Sequence, residues 1–479
     1  MGVLSAFPRL RGLSSLTTVQ LAGTFTTRLR DALGADHVLD NAAALTPYAA
    51  DALGIGAPPD LVVLPGSVQE IAQVARLCTE HRVPLVVRGA GTGYTGGAVP
   101  TAGGVVLSME RLNRILEIDE TNLLAIVEPN VITGELQRAV ERVGLFYPPD
   151  PASLEMSSIG GNVAECAGGP RAFKYGTTKR YVLGLQAVLP TGEIIETGSK
   201  AVKNVVGYDL TQLLVGSEGT LAIITRITLR LVPKPPARAT LTASFSHVQG
   251  AVDAVTALLQ RRVVPAAIEL IDADSLRAAE AFAGRAITAG DALLIVECDG
   301  TPAAVEEEIG RVDEACRDVG AIEVKRAASE AEREALWTVR RQVSLALRAT
   351  GLLKINHDVV VPRGRVPELF AVVEELRRRF QIRIASFGHA GDGNIHVNLM
   401  IEKSDAAARA RAREAERLLF ERVVGLEGSI SGEHGIGFAK APYLSLELSA
   451  DEIALMKRVK AAFDPYSILN PGKIFPPQS

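Results

Sequence analysis

The sequence predicts an α+β protein of two large domains, and three observations carry that expectation. A chain of 479 residues exceeds one ordinary core at roughly 150 residues per domain. The paired prolines of Pro233-Lys234-Pro235-Pro236 punctuate the chain near its middle. Beyond them, long charged stretches of helical character at 329–348 and 404–424 alternate with strand-like runs, Leu293 to Cys298 and Asp358 to Val361, a mixture that favours an antiparallel sheet. The expected units are an N-terminal extension and helix at 1–57, a first domain at 58–236 and a second at 237–479.

Composition narrows the class. With 47% hydrophobic and 22% charged residues the chain has ample apolar surface to bury, so disorder is excluded. The formal charge of -4 supplies no basic field for nucleic acid or an anionic membrane, and any anion must be bound locally. Cys78, Cys166, Cys298 and Cys316 form no CxxC pair, which argues against a disulfide framework, a cysteine zinc site or an iron-sulfur cluster. The longest uncharged stretch, Gly89 to Met109, holds seven glycines and Pro100, so no transmembrane helix is expected. Residues 1 to 20, with Arg9, Arg11 and no acid, have a faint transit-peptide character but no secretory core.

Taken in order, Leu21 to Leu33 predicts a short amphipathic helix, and ordered structure is expected from about Asp60. Leu61-Val62-Val63-Leu64 reads as a buried strand. Ser67 with Glu70 three residues on marks a helix start whose inward face is Val68, Ile71, Ala75 and Cys78. Leu85-Val86-Val87 completes a βαβ unit and delivers the chain into a loop from Arg88 to Gly97.

Gly91-Thr92-Gly93-Tyr94-Thr95-Gly96 satisfies GxGxxG, but a Rossmann loop must open a helix facing the pyrophosphate. Here Gly97 to Gly104 leads into another strand, Val105-Val106-Leu107. Five glycines in nine residues exceed the needs of a hairpin, and bare backbone N–H groups at such a loop can cradle phosphate without a helix. Pro148 to Pro151 and Ser158-Ile159-Gly160-Gly161-Asn162 through Gly168-Gly169 give a second small-residue loop of the kind that lies against a flat ligand. Two such loops in one domain point to a long cofactor.

These loops, together with 203–210, Gly216-Ser217-Glu218-Gly219-Thr220-Leu221 and the stretch from Asp464 to Lys473, resemble the FAD-linked oxidases of the vanillyl-alcohol oxidase fold type, within them the D-2-hydroxy-acid dehydrogenases. That group includes glycolate oxidase FAD subunits, D-lactate dehydrogenases and D-2-hydroxyglutarate dehydrogenases. The resemblance spans about Pro59 to Phe475. It implies a two-subdomain FAD-binding domain followed by a C-terminal α+β substrate domain, whose last segment, about 450–479, returns to the flavin. By the same resemblance Arg88, Gly89, Ala90, Gly91, Thr92, Gly93, Gly96 and Gly97 hold the pyrophosphate. Ser153, Ser158, Gly160, Gly161, Asn162, Gly168 and Gly169 line the ribityl chain and ring. Glu218, Gly219 and the chain to Ile223 lie by the adenosine half, and Asn470 closes the site. Some relatives tether flavin through a first-loop histidine, whose place here is taken by Thr92-Gly93-Tyr94, so FAD is expected to be non-covalent.

Three of the seven histidines fall in two glycine-framed motifs, 388–398 and 431–437. His389 precedes a turn at Gly391-Asp392-Gly393, and His396 and Asn398 share a face of the strand that follows. Two imidazoles with Glu433 form a fair ligand set for Zn²⁺ or Mn²⁺. The resemblance implies His389, His396 and Glu433 as metal ligands, Asn398 as a substrate contact and His434 as the general base. It also implies Arg340 and Ser344, four apart on one helix, as substrate-binding residues, with Lys354 a further candidate.

The expected activity is oxidation of a small D-2-hydroxy acid, glycolate or D-lactate before a 2-hydroxyglutarate-type diacid. Electrons would pass to a quinone, a cytochrome or an electron-transfer flavoprotein, from a homodimer or complex subunit in the cytoplasm or peripheral at the inner membrane face. Two other classes compete. A metal hydrolase would use the second half and leave the glycine loops idle, and an electron-carrying flavoprotein subunit would leave the metal motifs idle.

Overall fold

The computed structural model describes residues 23–476, so the basic stretch at 1–20 lies outside the described residues. The first sheet has four strands in the spatial order Val38–Leu39, Leu61–Val63, Val105–Ser108, Leu85–Arg88. Ser67 caps the helix Val68–His81 by accepting from Glu70 N, and Ile71, Ala75 and Cys78 are buried as the pattern required. The βαβ unit forms with one change. Leu61–Val63 and Leu85–Arg88 both pair in parallel with Val105–Ser108, which inserts between them.

The N-terminal part is not an appended extension. Phe25 and Leu29 of the helix Gly23–Leu33 are buried in one core with Ile71 and Val74 of Val68–His81, and Val38–Leu39 supplies the antiparallel edge of the sheet. Ordered packing therefore starts well before Asp60, because a helix with apolar residues four apart gains about 1.5–3 kcal/mol per side chain it buries.

A five-stranded antiparallel sheet, ordered Ile115–Asp119, Leu124–Val127, Ile223–Arg230, Val182–Val188, Ile194–Gly198, follows as a second subdomain. No helix opens after the loop at Arg88; residues 89–104 are turns and irregular backbone leading straight to Val105. The second small-residue segment is only partly a loop. Ser158 accepts from Gly161 N and caps a short helix, Ile159–Glu165, whose Ile159 and Val163 are both buried.

The remaining large sheet has seven strands and draws only on residues 237–401, with antiparallel pairing throughout. Toward one edge it carries the hairpin Arg383–His389 and Asn394–Ile401, between the central strand Ala267–Ile271 and the edge strand Leu353–Val360. Every residue of Asn394–Ile401 is buried, with helices covering the sheet.

The chain then returns to the first sheet. Leu85 N donates to Ile468 O and Asn470 N to Leu85 O, at 2.8 and 2.7 Å. Asp464 organises this return: its carboxylate accepts from Ile468 N, from Leu469 N and from Lys460 Nζ, which also donates to Thr220 O and Leu469 O. Asp464 is fully buried, so removing its cation leaves a carboxylate paired only by backbone. Lys460→Met is expected to destabilise the protein by about 3 kcal/mol, read as a lower urea midpoint; a wild-type midpoint would show that the pair is dispensable.

Candidate active site

One cavity is lined by residues from the three larger sheets, and both glycine segments line it. Gly89, Ala90, Gly91, Thr92, Gly93 and Gly97 form one wall; Ser153, Ser158, Gly160, Gly161 and Asn162 form the other, with Glu218 and Gly219 also present. The walls touch: a Cβ on Gly89 would lie 2.4 Å from Ser158 Oγ. At the substrate-domain end the cavity reaches Arg340, Ser344, His389, His396, Glu433 and His434.

The histidine hairpin forms as the spacing required. His389 ends one strand, Asn394 opens the next opposite it, and His396 faces Phe387. The two rings approach to 5.5 Å between centroids. Glu433 Oε1 lies 3.4 Å from His389 Nε2 and 3.5 Å from His396 Nε2. These separations match the roughly 3.3 Å edge of a tetrahedron of ligands about 2.0–2.1 Å from a metal centre. The three ligand atoms lie within 4.8 Å of one another. The donor set therefore fits a divalent cation.

A carboxylate outside both histidine motifs, with no signal in their spacing, stands behind this set. Glu269, fully buried in Ala267–Ile271, faces His389 Nδ1 at 2.6 Å and also binds Arg340 Nε. Accepting from Nδ1 leaves His389 Nε2 to point toward Glu433, the usual way a second carboxylate fixes the tautomer of a ligand histidine. Burial opposes charge on His389, but Glu269 and Glu433 outweigh it and hold its pKa well above the ordinary value. The same Arg340 packs its guanidinium 4.9 Å from the centre of the Phe387 ring. Its Nη2 is buried with no hydrogen-bond partner, on a side chain that borders the cavity.

His434 is placed by its backbone. Asp358 Oδ2 accepts from Gly432 N, Glu433 N and His434 N at 3.0, 2.8 and 2.9 Å, while Asn394 Nδ2 donates to Asp358 Oδ1 at 2.6 Å. One carboxylate thus ties the Glu433-His434 loop to the start of the strand carrying His396. The His434 ring stacks on His396 at 5.2 Å and 19°. Burial lowers its pKa against the pull of Asp358 and Glu433, which favours the neutral imidazole needed to accept a proton.

Several expected residues do not reach the cavity wall. Asn398 is fully buried, donating to Ala385 O and His396 O, and accepts from Asn356 Nδ2 at 2.8 Å; Asn356 is the amide that lines the cavity. Ile223 points into the core and its neighbour Ile224 faces the cavity, since alternate strand residues face opposite sides. Arg88 donates to Pro47 O at 3.2 Å behind the loop. Gly96 backs onto Phe438, Gly168 onto Glu433 and Gly169 onto Asp150. Asn470 donates to Gly97 O and Glu218 O, stapling two cavity segments together without lining the cavity. Lys354 Nζ donates to Ser344 Oγ at 2.5 Å and is likewise set back from the wall.

A hydrogen bond to a charged acceptor contributes about 1.5–3 kcal/mol. In Asp358→Asn, amide exchange over residues 430–437, followed by mass spectrometry, is expected to quicken roughly ten- to hundredfold. Wild-type protection would contradict the anchoring role.

Comparison with known proteins agrees with this architecture. The family described as FAD binding domain matches residues 59–198, and that described as FAD linked oxidases, C-terminal domain, matches residues 234–474. Glycolate oxidase subunit GlcD of Bacillus subtilis is 44% identical over 418 residues, covering 87% of this chain and 89% of the relative. A D-lactate dehydrogenase of Anaerostipes hadrus is 36% identical over 427 residues, covering 87% and 90%. Among solved structures, the 4-ethylphenol oxidase from Gulosibacter chungangensis superposes with a TM-score of 0.77 at 20% identity, covering 95% of this chain and 97% of that one, a likeness of fold alone. With family matches running through both halves of the chain, and relatives 44% and 36% identical that each cover 87% of it, the protein belongs to the FAD-linked oxidases.

Proposed function

We propose that this flavoprotein oxidises a small D-2-hydroxy acid, glycolate or D-lactate, to the 2-oxo acid. The observation that carries the proposal is the convergence of His389, His396 and Glu433 beside the unpartnered Nη2 of Arg340, on the wall of the cavity that the glycine loops line. Relatives named glycolate oxidase subunit and D-lactate dehydrogenase support the substrate class.

Oxidation of a 2-hydroxy acid removes the α-hydrogen with its electron pair and the hydroxyl proton. FAD, when bound, is the acceptor of the electron pair. His389, His396 and Glu433 would hold a Zn²⁺ or Mn²⁺ ion, which when bound makes a coordinated hydroxyl more acidic. Arg340 Nη2 binds and orients the substrate carboxylate. His434 Nε2, 3.9 Å from Glu433 Oε1, takes the hydroxyl proton as general base. Asn356, held by Asn398, offers an amide to the substrate, and Ser344, held by Lys354, a hydroxyl.

The subunit name of the relatives supports a chain that passes its electrons onward within a complex, to a quinone, a cytochrome or an electron-transfer flavoprotein. No helix among the described residues is long and apolar enough to cross a membrane, which is compatible with a place in the cytoplasm or at the membrane face.

Anaerobic addition of glycolate or D-lactate is expected to bleach the flavin absorbance, EDTA to abolish the bleaching, and Zn²⁺ or Mn²⁺ to restore it. Bleaching untouched by EDTA would remove the cation from the mechanism; no bleaching by any 2-hydroxy acid would end the proposal. His434→Ala is expected to retain FAD and lose about 10²- to 10⁴-fold in kcat, whereas a near-normal kcat would assign the base elsewhere.

A further inference from the structure

Tyr94 belongs to the glycine loop of the first domain, yet its ring is set among residues of the second. It stacks on His434 at 5.2 Å between centroids and 24° between planes. Its hydroxyl lies 3.5 Å from Ser344 Oγ. Two cations sit close to the ring: Arg348 Cζ is 5.2 Å and Lys354 Nζ 5.8 Å from its centre. Tyr94 and Ser344 line the cavity, whereas Lys354 and Arg348 do not.

We propose that Tyr94 is a specificity-determining residue: it closes the substrate pocket in front of Lys354, admitting short monocarboxylic 2-hydroxy acids and excluding those with a second carboxylate at the far end. This rests on the 2-hydroxy-acid function above. With the first carboxylate at Arg340 and the hydroxyl at His434, the ring that stacks on His434 is the wall a longer chain meets. A distal carboxylate needs a cation to replace its water, and the face of an aromatic ring, electron-rich over its π-system, is a poor substitute.

Of the nearby cations, Lys354 donates to Ser344 and Arg348 to Ala52 O at 2.6 Å, while Arg341, on the cavity wall, is already paired with Glu334 and donates to Thr338 Oγ1. The aromatic face favours Arg348 and Lys354 where they stand, a cation–π attraction that holds them behind the ring. Replacing the ring with a smaller side chain would open Lys354 to the cavity.

The test compares kcat/KM for D-2-hydroxyglutarate with that for glycolate in the FAD-loaded wild type, Tyr94→Leu, and Tyr94→Leu with Lys354→Met. The diacid-to-glycolate ratio is expected to rise at least tenfold in Tyr94→Leu and to fall back when Lys354 is also replaced. An unchanged ratio in a Tyr94→Leu protein that retains its FAD would overturn the inference. Equilibrium titration of the wild type, followed by perturbation of the flavin bands, needs no variant. Glyoxylate is expected to bind at least tenfold more tightly than 2-oxoglutarate, and equal or reversed affinities would also overturn it. If no 2-hydroxy acid bleaches the wild-type flavin, the underlying function fails instead, and the two failures are distinct.

Discussion

Asp358 Oδ2 accepts three consecutive backbone N–H groups, those of Gly432, Glu433 and His434, and the geometry of the site depends on this arrangement. A carboxylate buried without partners would cost several kcal/mol or take up a proton. Here burial is opposed by His434, Lys440 and His396 and by the Asn394 hydrogen bond, which together keep the Asp358 carboxyl well below its ordinary range. Lys440 Nζ donates to Asp358 O and Ser431 Oγ, closing the loop from the other side. A cup of backbone donors around a fixed negative charge sets the loop's direction more tightly than side-chain packing could. Glu433 and His434 can then occupy adjacent positions with different tasks.

The same loop joins the domains. Glu218, in the left-handed conformation at φ 51°, accepts from Ile436 N and Gly437 N at 2.7 Å each, and Asn470 donates to Glu218 O and Gly97 O. Phe438 packs so closely on Gly96 that a Cβ there would fall 2.0 Å from the ring. The glycine loop, the 218 turn, the 434 loop and the C-terminal return thus meet around one cavity. A cofactor lying along that cavity and a substrate held at the histidines would come into register because one hydrogen-bonded junction positions both walls.

Legibility in the sequence followed the range of the physics. The capping of Val68–His81, the lack of a helix after Gly97 and the approach of the His389 and His396 rings across a tight turn all depend on residues close together in the chain. So does the helix that carries Arg340 and Ser344. What was missed depends on strand neighbours far apart. Glu269 reaches His389 across 120 residues, although a lone carboxylate inside the apolar run Ala267–Ile271 is a visible signal of a buried partner. Asn398 and Asn356 share a register position in adjacent strands, so which amide faces the cavity and which supports it could not be told from either motif. Ile223 and Ile224 differ by one step of the strand pleat, which reverses core and cavity.

By itself the sequence determined the α+β class, the two glycine-rich segments and the inventory of imidazoles and carboxylates, because glycine runs, hydrophobic period and titratable side chains are local properties of the chain. Only the tertiary structure decided which of those groups converge. It set the 3.4 and 3.5 Å separations around Glu433 Oε1, the partnering of Arg340 with Glu269 and the placing of Tyr94 over His434. These depend on sheet register and domain docking, where one residue of slip or one ångström of shift turns a ligand into a bystander, and no spacing within a single motif encodes that.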